Sequence, residues 1–167
     1  MTLYPLQILI RSARNTDAEP IWSILEPIIR AGDTYALPSS MSRTEALSYW
    51  LSANHEVFVA EQQGEIVGTY YLRANQQGAG SHVANCGYMI ATWASGRGIA
   101  RLMCTHSLEY AKERGFRAMQ FNFVASSNER AVKLWQSTGF QIVGTLPEAF
   151  LHPRVGFVDA YVMYRKL

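Results

Sequence analysis

A mixed α/β domain is the fold class predicted by this chain of 167 residues, and three observations point to it. Period-two apolar runs alternate with helical apolar spacings along the chain, the pattern of strands interleaved with helices. Between Gly87 and Arg114 a strand passes through a glycine-bearing turn straight into a long helix. The length suits one domain rather than two, and 49% hydrophobic residues supply its core.

Each element has a local reason. Residues 6–14 mix Ile and Leu with alternating polar residues and suit a first strand. Asp17 reads as an N-cap, with Pro20 in the first turn, where its missing N–H costs little. Ile21, Ile24, Leu25 and Ile28 form the apolar stripe of a helix that Pro27 should kink and Gly32 should end. Ser42 and Glu45 have capping-box spacing and open a second, short helix through Ala46, Leu47 and Trp50. Strands at 56–62 and 65–73 flank Gln63-Gly64, a hairpin signal. Residues 74–81 read as a polar loop and 82–90 as a further strand. Ile99, Leu102, Met103, His106 and Tyr110 keep helical spacing over 97–114, and Gly115 stops the helix. A strand at 118–124, a helix at 128–137 closed by Gly139, and strands at 141–145 and 158–164 complete the order.

Composition excludes several function classes. The net charge of +2 comes from mixed signs without a Lys/Arg run, which disfavours nucleic acid as a partner and leaves room for a small anion. Cys86 and Cys104 lie in apolar segments without metal-ligand spacing, so they read as reduced packing residues and no metal is expected. No secretory leader pattern is seen, and no stretch approaches the ~20 apolar residues that span a bilayer. The expectation is a soluble cytoplasmic domain that does not engage membranes.

The most informative segment runs from Gly87 to Arg101, with Gly96 and Gly98 in the turn before the long helix. N–H groups at a helix N-terminus lack intrahelical partners, and the macrodipole adds positive potential. Glycines let a phosphate approach those donors, and Arg97 and Arg101 add charge. The spacing is neither that of a Walker A loop nor GxGxxG, which disfavours ATP and NAD. On its own the segment also fits an ordinary strand-to-helix turn.

Gly96-Arg-Gly-Ile-Ala100, then a strand, then Asn128, Ala131, Leu134-Trp135 and Gly139-Phe140 together resemble the GNAT superfamily of acyl-CoA-dependent N-acetyltransferases. The resemblance covers nearly the whole chain and implies a central, mostly antiparallel sheet, splayed in the middle, with helices on both faces. Ser95, Gly98 and Ala100 occupy the family's Gln/Arg-x-x-Gly-x-Gly/Ala positions, Ser95 being a departure. By resemblance, the amides of Gly96, Arg97, Gly98, Ile99, Ala100 and Arg101 hold the pyrophosphate of acetyl-CoA. The strand end from Met89 through Ile90 to Thr92 pairs with the pantetheine arm, and Asn128 bonds it from the opposite side. Arg130 and Lys133 are placed to reach the CoA phosphates, although exposed helix charges usually face water.

Where many GNAT enzymes carry a catalytic Glu, this chain has Asn85, and the neighbouring strand carries Asn122 between Phe121 and Phe123. An amide cannot take a proton near neutral pH, but it can orient a substrate. Buried without a partner, each would cost on the order of 1–3 kcal/mol, so two such residues call for an explanation. A local sheet irregularity is one, substrate binding the other. The segments 81–85, 121–124, 134–135 and 157–160 resemble one GNAT branch in particular, the L-azetidine-2-carboxylate acetyltransferases and their bacterial relatives. In that branch the residues matching Asn85 and Asn122 belong to the substrate site.

Trp135 stands where many members have a tyrosine that protonates the thiolate. Its indole N–H is a donor but not a usable acid. Losing a general acid, typically ~10²–10⁴-fold, should slow catalysis rather than abolish it. Trp135 equally suits core packing. Asp33 and Tyr35 fall in the loop where GNAT members form the acceptor pocket, and His152 and Asp159, flanking a last long loop, could line it too. His82 is a candidate base near the cleft, His106 reads as a packed core histidine, and Glu148 as solvated.

The sequence therefore predicts an acetyl-CoA-dependent N-acetyltransferase of a small amine, an amino acid or proline analogue. The amine attacks the thioester directly, Asn85 and Asn122 orient it, and backbone N–H near Ile90 holds the oxyanion. Neither cysteine has a base or motif for an acyl-enzyme. A protein N-terminus or lysine as acceptor, and a non-catalytic acyl-CoA-binding module, are the alternatives. Exposed final strands make a homodimer reasonable.

Overall fold

The computed structural model describes residues 7–167. Its elements are β1 (Ile8–Ser12), α1 (Ala18–Ala31), α2 (Arg43–Trp50), β2 (Glu56–Gln62), β3 (Glu65–Ala74), β4 (Val83–Ile90), α3 (Ile99–Glu113), β5 (Ala118–Ala125), α4 (Glu129–Ser137), β6 (Gln141–His152) and β7 (Gly156–Lys166). Their order is the predicted one. Leu6, expected in the first strand, lies outside the described residues.

The strands form a seven-stranded sheet in the order β1-β2-β3-β4-β5-β7-β6. Every neighbouring pair is antiparallel except β4 and β5, which run parallel and pair only through Val83↔Ala118 and Ala84↔Met119. Beyond that short ladder the two strands part, and a cleft opens between them.

Local chemistry explains the ends of the elements. The Gly32 N–H bonds the Ile28 carbonyl and closes α1, and Pro27 sits inside α1 without ending it. Ser42 and Glu45 cap α2 reciprocally: the Ser42 N–H donates to Glu45 Oε2 at 2.7 Å, and the Glu45 N–H to Ser42 Oγ at 3.3 Å. Asp17 departs from its expected role. Its carboxylate accepts from Arg11 at 2.8 and 3.1 Å and from the Arg14 N–H at 2.6 Å, in a 3-10 turn ahead of α1, and caps no N–H of that helix. A nearby guanidinium outcompetes a helix amide for it, and the same hydrogen bonds hold its pKa below the usual carboxylate range.

The final hairpin is longer than predicted. β6 and β7 leave only residues 153–155 as a turn, and their register shifts between Ile142 and Gly144 and between Leu146 and Phe150. His152 and Asp159 hold this hairpin rather than flank a long loop. His152 Nδ1 accepts the N–H groups of Arg154 and Val155, and Asp159 Oδ1 accepts the Glu148 N–H.

Helices cover both faces of the sheet. On one face α3 packs on β3 and β4, where Tyr88 Oη meets Ser107 Oγ at 2.7 Å and Tyr70 Oη meets His106 Nδ1 at 2.7 Å. His106, packed among Phe58, Tyr70 and Tyr110, is the core-facing histidine expected. On the other face α1 and α2 bury Ile21, Leu25 and Trp50, each worth roughly 1.5–3 kcal/mol of apolar burial or more. The Trp50 indole N–H donates to Thr69 Oγ1 at 3.0 Å. No helix of the described residues is long and apolar enough to cross a membrane.

Candidate active site

The register fixes which polar backbone groups of β4 face the cleft. The Asn75 N–H bonds the Val83 carbonyl and the Ala91 N–H bonds the Val67 carbonyl, so Val83, Asn85, Gly87 and Met89 turn their backbone groups to β3. By alternation, Ala84, Cys86, Tyr88 and Ile90 turn theirs toward β5. Where β5 departs, a side chain stands in for it: the Tyr35 hydroxyl donates to the Tyr88 carbonyl at 2.7 Å and accepts from the Tyr88 N–H at 2.8 Å. Burial pushes the Tyr35 phenol far above its ordinary range, so it stays protonated. Ile90 lies on the same free edge, one step nearer the glycine turn. The cleft has a volume of about 1090 Å³ and is lined from the 33–37 loop to the start of α4.

At one end the chain leaves β4 through Gly96 and Gly98, with φ of 87° and 80°, a backbone region open to glycine at little cost. The first ladder bond of α3 runs from the Leu102 N–H to the Gly98 carbonyl, so the N–H groups of Ile99, Ala100 and Arg101 precede the ladder. They stand at the positive end of a 15-residue helix. Thr92, Gly96, Gly98, Ile99, Ala100 and Arg101 line the cleft here, and Arg101 donates to Ser137 Oγ at 2.9 Å. Arg97 does not line it: its guanidinium lies over the Trp93 ring and bonds the Trp93 carbonyl. A different arginine serves the turn, as Arg130 of α4 donates to Ser95 Oγ at 3.1 Å. The position where the family pattern has Gln or Arg thus carries a hydroxyl that holds a guanidinium from another helix. Asn128 lines the cleft and caps α4, its Oδ1 accepting the Ala131 N–H at 3.3 Å. Lys133 is exposed and pairs with Glu129 at 3.6 Å.

The other end of the cleft lies on the α1–α2 face of the sheet. Asn85 is buried, donates to the Gln120 carbonyl at 3.0 Å and accepts from Arg73 Nε at 3.3 Å. It bridges β4 to β5 one step beyond their last ladder pair. Asn122 sits where the β5–β7 register shifts; it accepts from Gln120 Nε2 at 2.9 Å and donates to Asn75 Oδ1 at 2.6 Å. Both amides therefore have protein partners, and a ligand is not needed to offset their burial. Asp33 is among the residues lining the cleft. Tyr35 lines it too, but spends its hydroxyl on β4.

Arg73, Tyr49 and Tyr71 also line this end and had no sequence signal of their own. Tyr71 lies flat across Gly87: a Cβ there would sit 2.6 Å from Tyr71 Cε1, closer than real contacts allow. The ring stacks on His55 at 4.1 Å, and its hydroxyl meets that of Tyr49 at 3.2 Å. Burial lowers the His55 pKa, which keeps the ring neutral. His82 is exposed in the turn before β4 and outside the cleft lining, so it is no candidate base.

Trp135 reaches the cleft from the opposite face, with ring centroids 5.0 Å from both Tyr88 and Phe121. It is a buried floor residue. Cys86 and Cys104 are buried as free thiols, and desolvation pushes both pKa values up, which disfavours nucleophilic work.

A parallel strand pair that opens beside a glycine turn at a helix N-terminus is matched by a description from known proteins. The acetyltransferase (GNAT) family model matches residues 21–140. The chain belongs to the GNAT family. A solved GCN5-related N-acetyltransferase from Kribbella flavida is 39% identical, with 96% of this chain and 98% of that one covered and a TM-score of 0.92. The N-acetyltransferase aca1 of Schizosaccharomyces pombe is 26% identical over 151 residues, covering 80% of this chain and 72% of the relative. The fold is also that of yncA from Salmonella typhimurium, solved with its cofactor acetyl-CoA: 18% identity, 96% and 94% coverage, TM-score 0.84. This GNAT protein is accordingly an acetyltransferase with the mostly antiparallel, centrally splayed sheet that its sequence predicts.

Proposed function

We propose that residues 1–167 act as a single N-acetyltransferase domain that moves an acetyl group from acetyl-CoA to the amine of a small molecule, an amino acid or proline analogue. The observation that carries the choice of a small acceptor is the pinned 32–41 loop. Tyr35 ties it to β4, and Arg30 holds its far end through the Ser39 and Met41 carbonyls at 2.7 and 2.9 Å. A loop pinned at Tyr35, Ser39 and Met41 along one side of the cleft suits a small acceptor better than an extended peptide.

Bound acetyl-CoA supplies an activated thioester. The amides from Gly96 to Arg101 hold its pyrophosphate at the α3 N-terminus, helped by Arg130 over Ser95. The end of β4 and the chain beyond it, Met89 to Thr92, where Ile90 turns its backbone groups to the cleft, align the pantetheine arm, with Asn128 opposite. The Ile90 N–H faces the parted strands, where it stabilises the oxyanion. Asn85 and Asn122 fix the acceptor amine near the carbon it attacks, and such positioning alone can supply several kcal/mol. Solvent takes the proton. Trp135 packs the floor and excludes water. The acceptor range follows the azetidine-2-carboxylate branch that the sequence resembles.

The protein works in the cytoplasm as a homodimer joined through the β6–β7 hairpin, where Leu151, Val155 and Phe157 are each more than 60% exposed. Sedimentation at micromolar concentration should give a dimer, and a monomer overturns that part. The activity is tested by mixing the protein with acetyl-CoA and an amine panel that includes azetidine-2-carboxylate, and following free thiol. Turnover on one or more small amines is expected. Turnover on peptides alone would identify a protein acetyltransferase, and tight CoA binding without turnover an acyl-CoA-binding module.

A further inference from the structure

The acceptor end of the cleft holds a cation whose work the fold leaves undone. Arg73 lines the pocket and is only partly buried, and its Nε donates to Asn85 Oδ1. Other arginines of the α1–α2 side, Arg11, Arg30 and Arg43, each pair with a carboxylate. Among the described residues no carboxylate lies within ion-pair distance of Arg73.

One hydrogen bond, backed by the strand register and by the anchoring of Asn85, sets the direction of this guanidinium. Arg73 stands opposite Asn85 in the β3–β4 register, just as Tyr71 stands opposite Gly87. Asn85 is in turn anchored to the Gln120 carbonyl across the strand split. Nε is thereby occupied, while the Nη1 and Nη2 fork is left for a planar anion, the geometry that guanidinium offers a carboxylate. Asp33 is the one acidic residue among the described residues that line the same cleft, and burial lowers the pKa of nearby His55. A ligand with a carboxylate at Arg73 and an amine toward the split matches this pattern.

We propose that Arg73 binds the carboxylate of the acceptor, which makes an α-amino or α-imino acid the substrate class, and that Asn85 is the residue positioning Arg73. The proposal rests on the small-amine reading above and narrows it. It also gives Asn85 a task compatible with its protein partners: orienting the cation that orients the acceptor.

The test compares azetidine-2-carboxylate with azetidine-2-carboxamide, and L-amino acids with their primary amides, at saturating acetyl-CoA. An amide group lowers the amine pKa and leaves more free nucleophile, so reactivity alone favours the amides. Wild-type protein should instead prefer the carboxylates in kcat/KM by about 10- to 100-fold, the range of a charge-assisted hydrogen-bonded pair. Arg73→Gln should erase the preference through the KM of the carboxylates, whose kcat/KM falls about 10- to 100-fold further than that of the amides, with calorimetric acetyl-CoA binding within about threefold of wild type. Arg73→Lys should restore part of it, since charge returns without the fork. Equal use of acids and amides by wild type, or equal loss of both in Arg73→Gln, overturns the proposal and leaves the small-amine reading standing. Turnover on peptides with every small amine refused overturns both.

Discussion

The end of the cleft proposed to hold the donor comes from one continuous run, Met89 to Arg101, completed by α4, whereas the end proposed for the acceptor takes single residues from the 32–41 loop, β3, β4 and β5. The donor end relies on backbone: unladdered N–H groups, two glycines and a helix dipole. The acceptor end relies on side chains held by other side chains: Arg73 by Asn85, Asn122 by Asn75 and Gln120, and Tyr71 over Gly87. A backbone site tolerates most sequence change outside its glycines. A relayed side-chain site can change specificity when one link changes.

The largest effect expected at the donor end comes from Gly98→Glu. Its φ of 80° strains any side chain by about 1–2 kcal/mol, and a carboxylate faces bound phosphate, so acetyl-CoA affinity should fall on the order of 100-fold by calorimetry. Unchanged affinity in a folded variant would remove the turn from the donor site. Asn122→Ala should do the opposite, cutting kcat about tenfold or more with acetyl-CoA affinity nearly intact. Equal losses in both would mean that the two ends are not separable.

Gly87→Ala comes next. Its Cβ must displace the Tyr71 ring, which should cost roughly 1–3 kcal/mol of stability and raise the acceptor KM several-fold. Wild-type acceptor kinetics in this variant would show that Tyr71 does not shape the pocket. The smallest effect expected is that of Tyr35→Phe, which leaves the Tyr88 N–H and carbonyl without their partner and should cost about 1–2 kcal/mol in a denaturation midpoint. The folded phenol has a pKa raised above its unfolded value near 10, so its contribution is complete below that pH and shrinks above it. The loss should therefore be the same at pH 6 and pH 9, and a change between them would contradict the buried clip.

The same contrast explains what could be read from sequence. Gly96, Gly98 and Asn128 announce themselves because their roles are local: a left-handed turn, a helix start, a cap. The element order was legible for the same reason, from the Ser42–Glu45 box to the Gln63-Gly64 hairpin. Arg73 was not, because its meaning depends on the β3–β4 register across a loop whose length does not fix the pairing. Asn85 and Asn122 were visible as anomalies, but their protein partners lie up to 47 residues away. Asp17 and His152 were misplaced through partners unreadable from spacing, an arginine on β1 and the amides of a tight turn. Arg97 turned onto Trp93, and Arg130 came to the loop from α4.

The Tyr35 hydroxyl has one more consequence. Tyr88 is buried in β4, yet the partner of its amide is a side chain on a loop rather than a neighbouring strand. The exchange of that single proton with deuterated water should therefore follow release of the Tyr35 hydroxyl, while Gly87 and Met89 on either side report the stability of the sheet.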